Sequence, residues 1–317
     1  MGQALKFFRS LLLISASYFC LITTPIISQS ISKPTTIGFI SDTQAPIWIE
    51  KFWIKSNRNE EATEAIFNRI LKEENIVGLF HLGDITSYGG FHFAWDEINS
   101  HLAKLEKVHI PFYPVPGNHE YYFPAKLAIA QFKKRFPEIK NTWYSVQINN
   151  IAVILLNSNF SNMSETELTE QKKWYSESLE KYEKDSTVRI IIVGTHYSPF
   201  TNSTIVEPSE EVEREFVKPF LANNKCKLFL SGHAHAFEHF KKNGKDFLVI
   251  GGGGGLQQPL LTGNKQRTKD YFPFNTTIRM FHFLTCEEKG DSLLAKVIML
   301  NKDFKTFYIP YEIKIGI

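Results

Sequence analysis

Short apolar runs alternating with amphipathic stretches constrain this chain more than any other feature. Residues 36–41, 76–82, 110–115, 152–156, 188–193 and 227–231 read as buried strands. Between them, 60–74, 94–107, 126–136, 166–184 and 210–221 place apolar residues at helical spacing. That alternation is the mark of β-α-β units and sets the class as α/β. The C-terminal third changes character: 246–250, 277–286, 293–300 and 305–315 predict antiparallel strands with few helices between them. Two packed mixed β-sheets flanked by helices account for both halves. With 43% of its 317 residues hydrophobic, the chain can bury such a core as one domain. No repeat, linker or compositional break divides residues 35–317.

Residues 1–30 stand apart. Lys6 and Arg9 precede the uncharged run from Leu11, and a small, polar stretch from Thr23 to Ser30 follows. This order predicts a signal peptide and an exported protein, periplasmic or secreted. The run over residues 11–30 is nearly long enough for an uncleaved membrane anchor, which is the alternative and would make the membrane a partner. A net charge of +3, spread over 36 basic and 33 acidic residues that are well interspersed, argues against a dedicated nucleic-acid surface. Beyond the leader, Cys226 and Cys286 permit one disulfide without establishing it.

Five segments carry residues able to ligate metal, each just past the end of a predicted strand. They are Ser41-Asp42-Thr43-Gln44, Gly83-Asp84, Gly117-Asn118-His119-Glu120, Gly194-Thr195-His196 and Gly232-His233-Ala234-His235. In α/β sheets that edge is where ligands bind. Carboxylate, imidazole and amide oxygen form a mixed donor set suited to Fe, Zn or Mn, and no thiolate joins them. The run Gly251–Gly255 lacks the Lys-Ser/Thr of a phosphate loop and reads as close backbone packing beside the metal loops.

In order and spacing these segments resemble the calcineurin-like metallophosphoesterases, whose motifs run Asp-x-His, Gly-Asp, Gly-Asn-His, His and Gly-His-x-His. The resemblance implies a four-layer α/β/β/α sandwich and two divalent or mixed-valence metal ions. It implies that Asp42, Gln44, Asp84 and His235 hold one metal, and Asp84, Asn118, His196 and His233 the other, with Asp84 bridging. It implies hydrolysis by a metal-bridging hydroxide, with His119 stabilising the phosphoryl group or protonating the leaving oxygen. Asn118 and His119 would then contact substrate, and His92 and Tyr197, which adjoin site motifs, are further substrate-binding candidates.

Two departures matter. Gln44 stands where most of the family has His, which predicts a weaker first metal position. Residues 232–238 are similar to the ending of purple acid phosphatases, but Tyr88 lies four residues after Asp84 where that group places its tyrosine three after. The expected substrate is a phosphate monoester, small or part of a larger phosphorylated molecule. The alternatives are a phosphodiesterase acting on nucleotides or lipid headgroups, and a catalytically silent protein that holds metal and phosphoryl groups.

Overall fold

Strands β1 (Thr36–Ile40), β2 (Ile76–His81) and β3 (Phe112–Pro114) run parallel, and β1 is also paired antiparallel to β10 (His282–Lys289). From β10 the first sheet continues antiparallel through β11 (Ser292–Leu300) to β12 (Phe307–Gly316). A second sheet has the order β4 (Tyr144–Ile148), β5 (Ile151–Leu156), β6 (Ile190–Thr195), β7 (Cys226–Ser231), β9 (Lys245–Ile250), β8 (Phe237–Lys242). Its four inner strands are parallel and its two edges antiparallel. The computed structural model describes residues 35–47 and 58–317. The predicted leader, residues 1–30, lies outside the described residues, among which no helix is long and apolar enough to cross a membrane.

Three apolar seams show why the fold has four layers. Ile37, Phe39, Phe80 and Leu82 of the first sheet meet Val153, Leu155, Ile192 and Leu230 of the second, making the central seam. The outer face of the first sheet is covered by α1 (Asn59–Ile70), α2 (Asp96–Lys107) and α3 (Ala125–Arg135), which contribute Phe67, Leu105 and Phe132. The outer face of the second is covered by α4 (Glu165–Lys184), with Tyr175, Leu179 and Tyr182 turned inward. Each such side chain contributes about 1.5–3 kcal/mol on burial, so the seams carry much of the stability. A capping box sets the start of α4: the Ser164 hydroxyl accepts from the Glu167 amide, and the Glu167 carboxylate accepts from that of Ser164.

Several expectations need correction. Residues 246–250 are antiparallel on one side only: β9 pairs antiparallel with β8 but parallel with β7, in the second sheet and apart from β10 to β12. The single helix expected over 210–221 is broken by a π-helical turn, Glu213–Val217, ahead of Pro219, whose missing amide hydrogen interrupts the regular ladder. Cys226 and Cys286, whose pairing the sequence leaves open, are buried free thiols, one on each sheet.

Candidate metal centre

The C-terminal ends of β1, β2, β3, β6 and β7 converge at one edge of the central seam, and the motif residues meet there. Asp42 and Asp84 are fully buried. Their ion pairs among the described residues are all with histidines: His235 Nε2 is 3.3 Å from Asp42 Oδ1, and His196 Nε2 and His119 Nε2 are 3.3 and 3.7 Å from Asp84 Oδ2. Buried carboxylates held without Lys or Arg suit a site that a cation completes. Two groups have donor atoms within 4.8 Å of one another, Asp84 with His196 and His233, and Asp42 with Asp84 and His235. Asp84 belongs to both.

Local backbone explains how so many donors fit. Asp42, Asp84 and His233 adopt left-handed conformations with φ of 59°, 55° and 67°, each costing about 1–2 kcal/mol for a residue with a Cβ. Hydrogen bonds hold them there. The Asp42 amide donates to Gly83 O at 3.0 Å, that of Thr43 to Asp84 O at 2.9 Å, and that of His233 to both Asp42 carboxylate oxygens at 3.1 and 3.0 Å. The glycine run closes the floor, with Gly253 and Gly255 donating to Ser41 O and Asp42 O. A Cβ on Gly255 would lie 2.7 Å from the His235 ring, which accounts for the absence of a side chain.

The imidazoles are fixed from behind. His196 Nδ1–H donates to Leu82 O at 2.9 Å and His235 Nδ1–H to Leu256 O at 2.7 Å, so each turns Nε2 into the cage. The Asn118 amide donates to the Tyr122 hydroxyl at 3.1 Å, leaving its Oδ1 3.0 Å from His196 Nε2. Burial opposes a charge on His196, but Asp84 outweighs it and holds the imidazole up to about 9. Burial and the neighbouring His196 push His233 down to about 3. Burial likewise opposes ionisation of Asp84, yet His196 and His119 keep it below the ordinary carboxylate range.

Gln44 differs. Its Nε2 lies 3.3 Å from both Asp84 Oδ2 and His235 Nε2, while Oε1 is buried without a partner. The two ends of an amide are interchangeable by rotation, and turning this one would present the orphaned oxygen to the cage. The residues therefore fit two cations, with Gln44 able to complete the first position.

His119 Nδ1–H donates to Ser87 O at 2.9 Å, and its side chain is 12% exposed, at the cage mouth. The Tyr197 ring lies 4.5 Å from that of His233. His92 is exposed, with Nδ1 4.0 Å from Asp96 Oδ1. Tyr88 packs against Phe91, with ring centroids 5.9 Å apart.

Matching residues 35–237, the calcineurin-like phosphoesterase model spans more than half of the sequence. The chain belongs to the calcineurin-like phosphoesterase family. Among its relatives, it is 22% identical over 226 residues to probable inactive purple acid phosphatase 9 of Arabidopsis thaliana, covering 58% of this chain and 34% of that one. With purple acid phosphatase 22 of the same plant it shares 26% over 194 residues, 57% of this chain and 43% of the other. This chain thus spans less than half the length of the curated relatives it matches. Its fold is shared with GAP50, described as the anchor in the inner membrane complex of Plasmodium, with a TM-score of 0.62 and 15% identity over 90% of this chain and 89% of that one. Yellow lupin purple acid phosphatase PPD1 gives a TM-score of 0.61 at 15% identity, over 89% and 54%.

Two supports of the cage carry no signature of that role in the sequence. Glu120 is fully buried and accepts from the amides of Asp84 (2.8 Å), Ile85 (2.8 Å), Thr86 (3.1 Å) and Gly117 (2.7 Å). One carboxylate thereby ties the β2 loop to the β3 loop and fixes Asp84 between them. Its position beside Asn118 and His119 was a signal, but its targets lie up to 36 residues away in the chain. His81 accepts from the Gly83 amide and meets the Thr43 hydroxyl at 3.0 Å, with burial keeping it neutral down to about 3.

Proposed function

We propose that the chain is an exported metal-dependent hydrolase of phosphate monoesters. The observation that carries this is the place of Asp84. Its Oδ2 faces His196, His119 and Gln44 together, the shared position that a two-metal cage requires. When bound, the two cations supply an activated water and neutralise the phosphoryl oxygens. Asp84 and Asp42 anchor them, and Asn118, His196, His233 and His235 complete the hold. Water adds to phosphorus and releases a proton to solvent, the bond from phosphorus to the ester oxygen breaks, and that oxygen leaves with a proton from an acid that solvent then reprotonates. His119 is placed to give it. Because Nδ1–H is committed to Ser87 O, the proton comes from Nε2 of the imidazolium. The predicted leader supports export.

Purified chain loaded with Mn, Zn or Fe should bind two ions and hydrolyse p-nitrophenyl phosphate faster than the bis ester. Asp84→Asn should lower kcat about a thousandfold, the effect of losing some 4 kcal/mol of transition-state stabilisation. Two bound ions with no hydrolysis above that variant would favour the second reading, a silent phosphoryl-binding protein. The neutral amide of Gln44 at the first position, where most of the family has an imidazole, is the specific support for that reading.

A further inference from the structure

Beside the cage mouth lies a surface that hydrolysis of a bare phosphate does not explain. Phe93 is 69% exposed, Phe123 67% and Phe91 41%. Clustered exposed aromatics of this kind mark a binding surface. They form two arms. On one, the rings of Tyr88, Phe91 and Phe93 follow one another at 5.9 and 5.5 Å, the second contact stacked. The other begins in the cage: His119 lies 4.5 Å from Tyr122, and Tyr122 6.4 Å from Phe123.

The arms are stitched by backbone. The amides of Gly89 and Gly90 donate to His119 O and Tyr122 O at 2.9 and 3.0 Å, and Trp95 Nε1–H donates to Gly89 O at 3.0 Å. A Cβ on Gly90 would lie 1.7 Å from Phe123 O, so the contact admits no side chain. The exposed rings thus stand on a floor already in place, which lowers the ordering cost of binding. Residues 86–93 and 119–125 contain no Lys or Arg, unlike the basic amphipathic surfaces that lie on membranes.

We propose that these rings receive the organic part of the substrate and that this part is a flat aromatic group, an aryl ring or a nucleobase, carried as a phosphate monoester. The aromatic group stacks on the platform while its phosphoryl group enters the cage beside His119. This rests on the phosphoesterase reading above, and its failure can be told apart from failure of that reading.

The test measures kcat/KM for 1-naphthyl phosphate and adenosine 5′-monophosphate relative to glycerol 2-phosphate, using the manganese-loaded full chain and its Phe93→Ala and Phe123→Ala variants. The relative value cancels differences in the amount of folded protein. An aromatic preference of about tenfold or more in the parent, falling to within about twofold in the variants through KM, supports the platform. Preference for the nucleotide alone assigns a nucleobase, and preference for both a general aromatic group. A ratio that the variants leave unchanged overturns the proposal, as does loss of anionic vesicle binding in the variants with the ratio intact. If no ester is hydrolysed, the phosphoesterase reading fails, and calorimetry with 1-naphthylmethylphosphonate decides the platform. Binding weakened about tenfold by Phe93→Ala supports it, and equal binding overturns it.

Discussion

On the side of the cage formed by Asn118, His196 and His233, the Leu82 carbonyl turns the His196 ring inward, the Tyr122 hydroxyl orients the Asn118 amide, and the Asp42 carboxylate holds the backbone of His233. On the side formed by Asp42 and His235, the fourth residue is Gln44, which presents hydrogens inward and leaves its oxygen orphaned. Both sides share Asp84, and the Gln44 side is the more deeply buried, since His233 and Asn118 are only partly so. The difference lies in how far each is fixed before a cation arrives, and it teaches that a shared carboxylate does not make two positions equivalent. A pre-fixed position binds without reorganisation, whereas the other must first rotate an amide.

Three experiments would break or sharpen that contrast. The largest effect is expected from Glu120→Gln. It removes the charge that receives four amides and puts an NH2 group among donors, so we expect a loss of about 3 kcal/mol in unfolding free energy by urea denaturation. Because Glu120 fixes the shared Asp84, metal titration should show both positions weakened. Loss confined to one position would break the scheme. Proton competition comes next. A cation must displace the His196 proton, so affinity at the second position should fall about tenfold for each unit that pH drops below about 9. The sign reverses for stability in chelator. There the His196–Asp84 pair stabilises the fold below the ordinary histidine range, and that contribution is lost as pH rises through about 9. The smallest effect is expected from Gln44→His. An imidazole in place of the amide should tighten the first position about tenfold and leave the second unchanged, by sequential titration monitored calorimetrically.

Much of this was legible in the sequence because function here sits at strand ends. Each motif follows a run such as Ile190–Val193 or Leu228–Leu230, so locating the strand located the donor. The less legible parts depend on partners distant in the chain. Strand β8 was missed because Glu238 and His239 look like loop residues. In the fold both are buried, with Glu238 accepting from Thr201 and the Asn202 amide, and His239 donating to Asp246. Strand β4 is a partly exposed edge of five residues with weak periodicity. The role of Glu120 was hidden for the same reason, since a carboxylate that serves backbone amides leaves no pattern in the residues it serves. His92, singled out because it adjoins a motif, is exposed, with its ring beside Asp96.

The cage draws Asp42, Asp84 and Asn118 from the first sheet and His196, His233 and His235 from the second, reaching between residues 191 positions apart. A cation seated among them therefore acts as a reversible rivet between two sheets otherwise joined by apolar contact. At a hundred times its dissociation constant, each ion would add about 2.7 kcal/mol to folding. Metal supply would then set how strongly the two sheets are held together as well as whether the cage is complete.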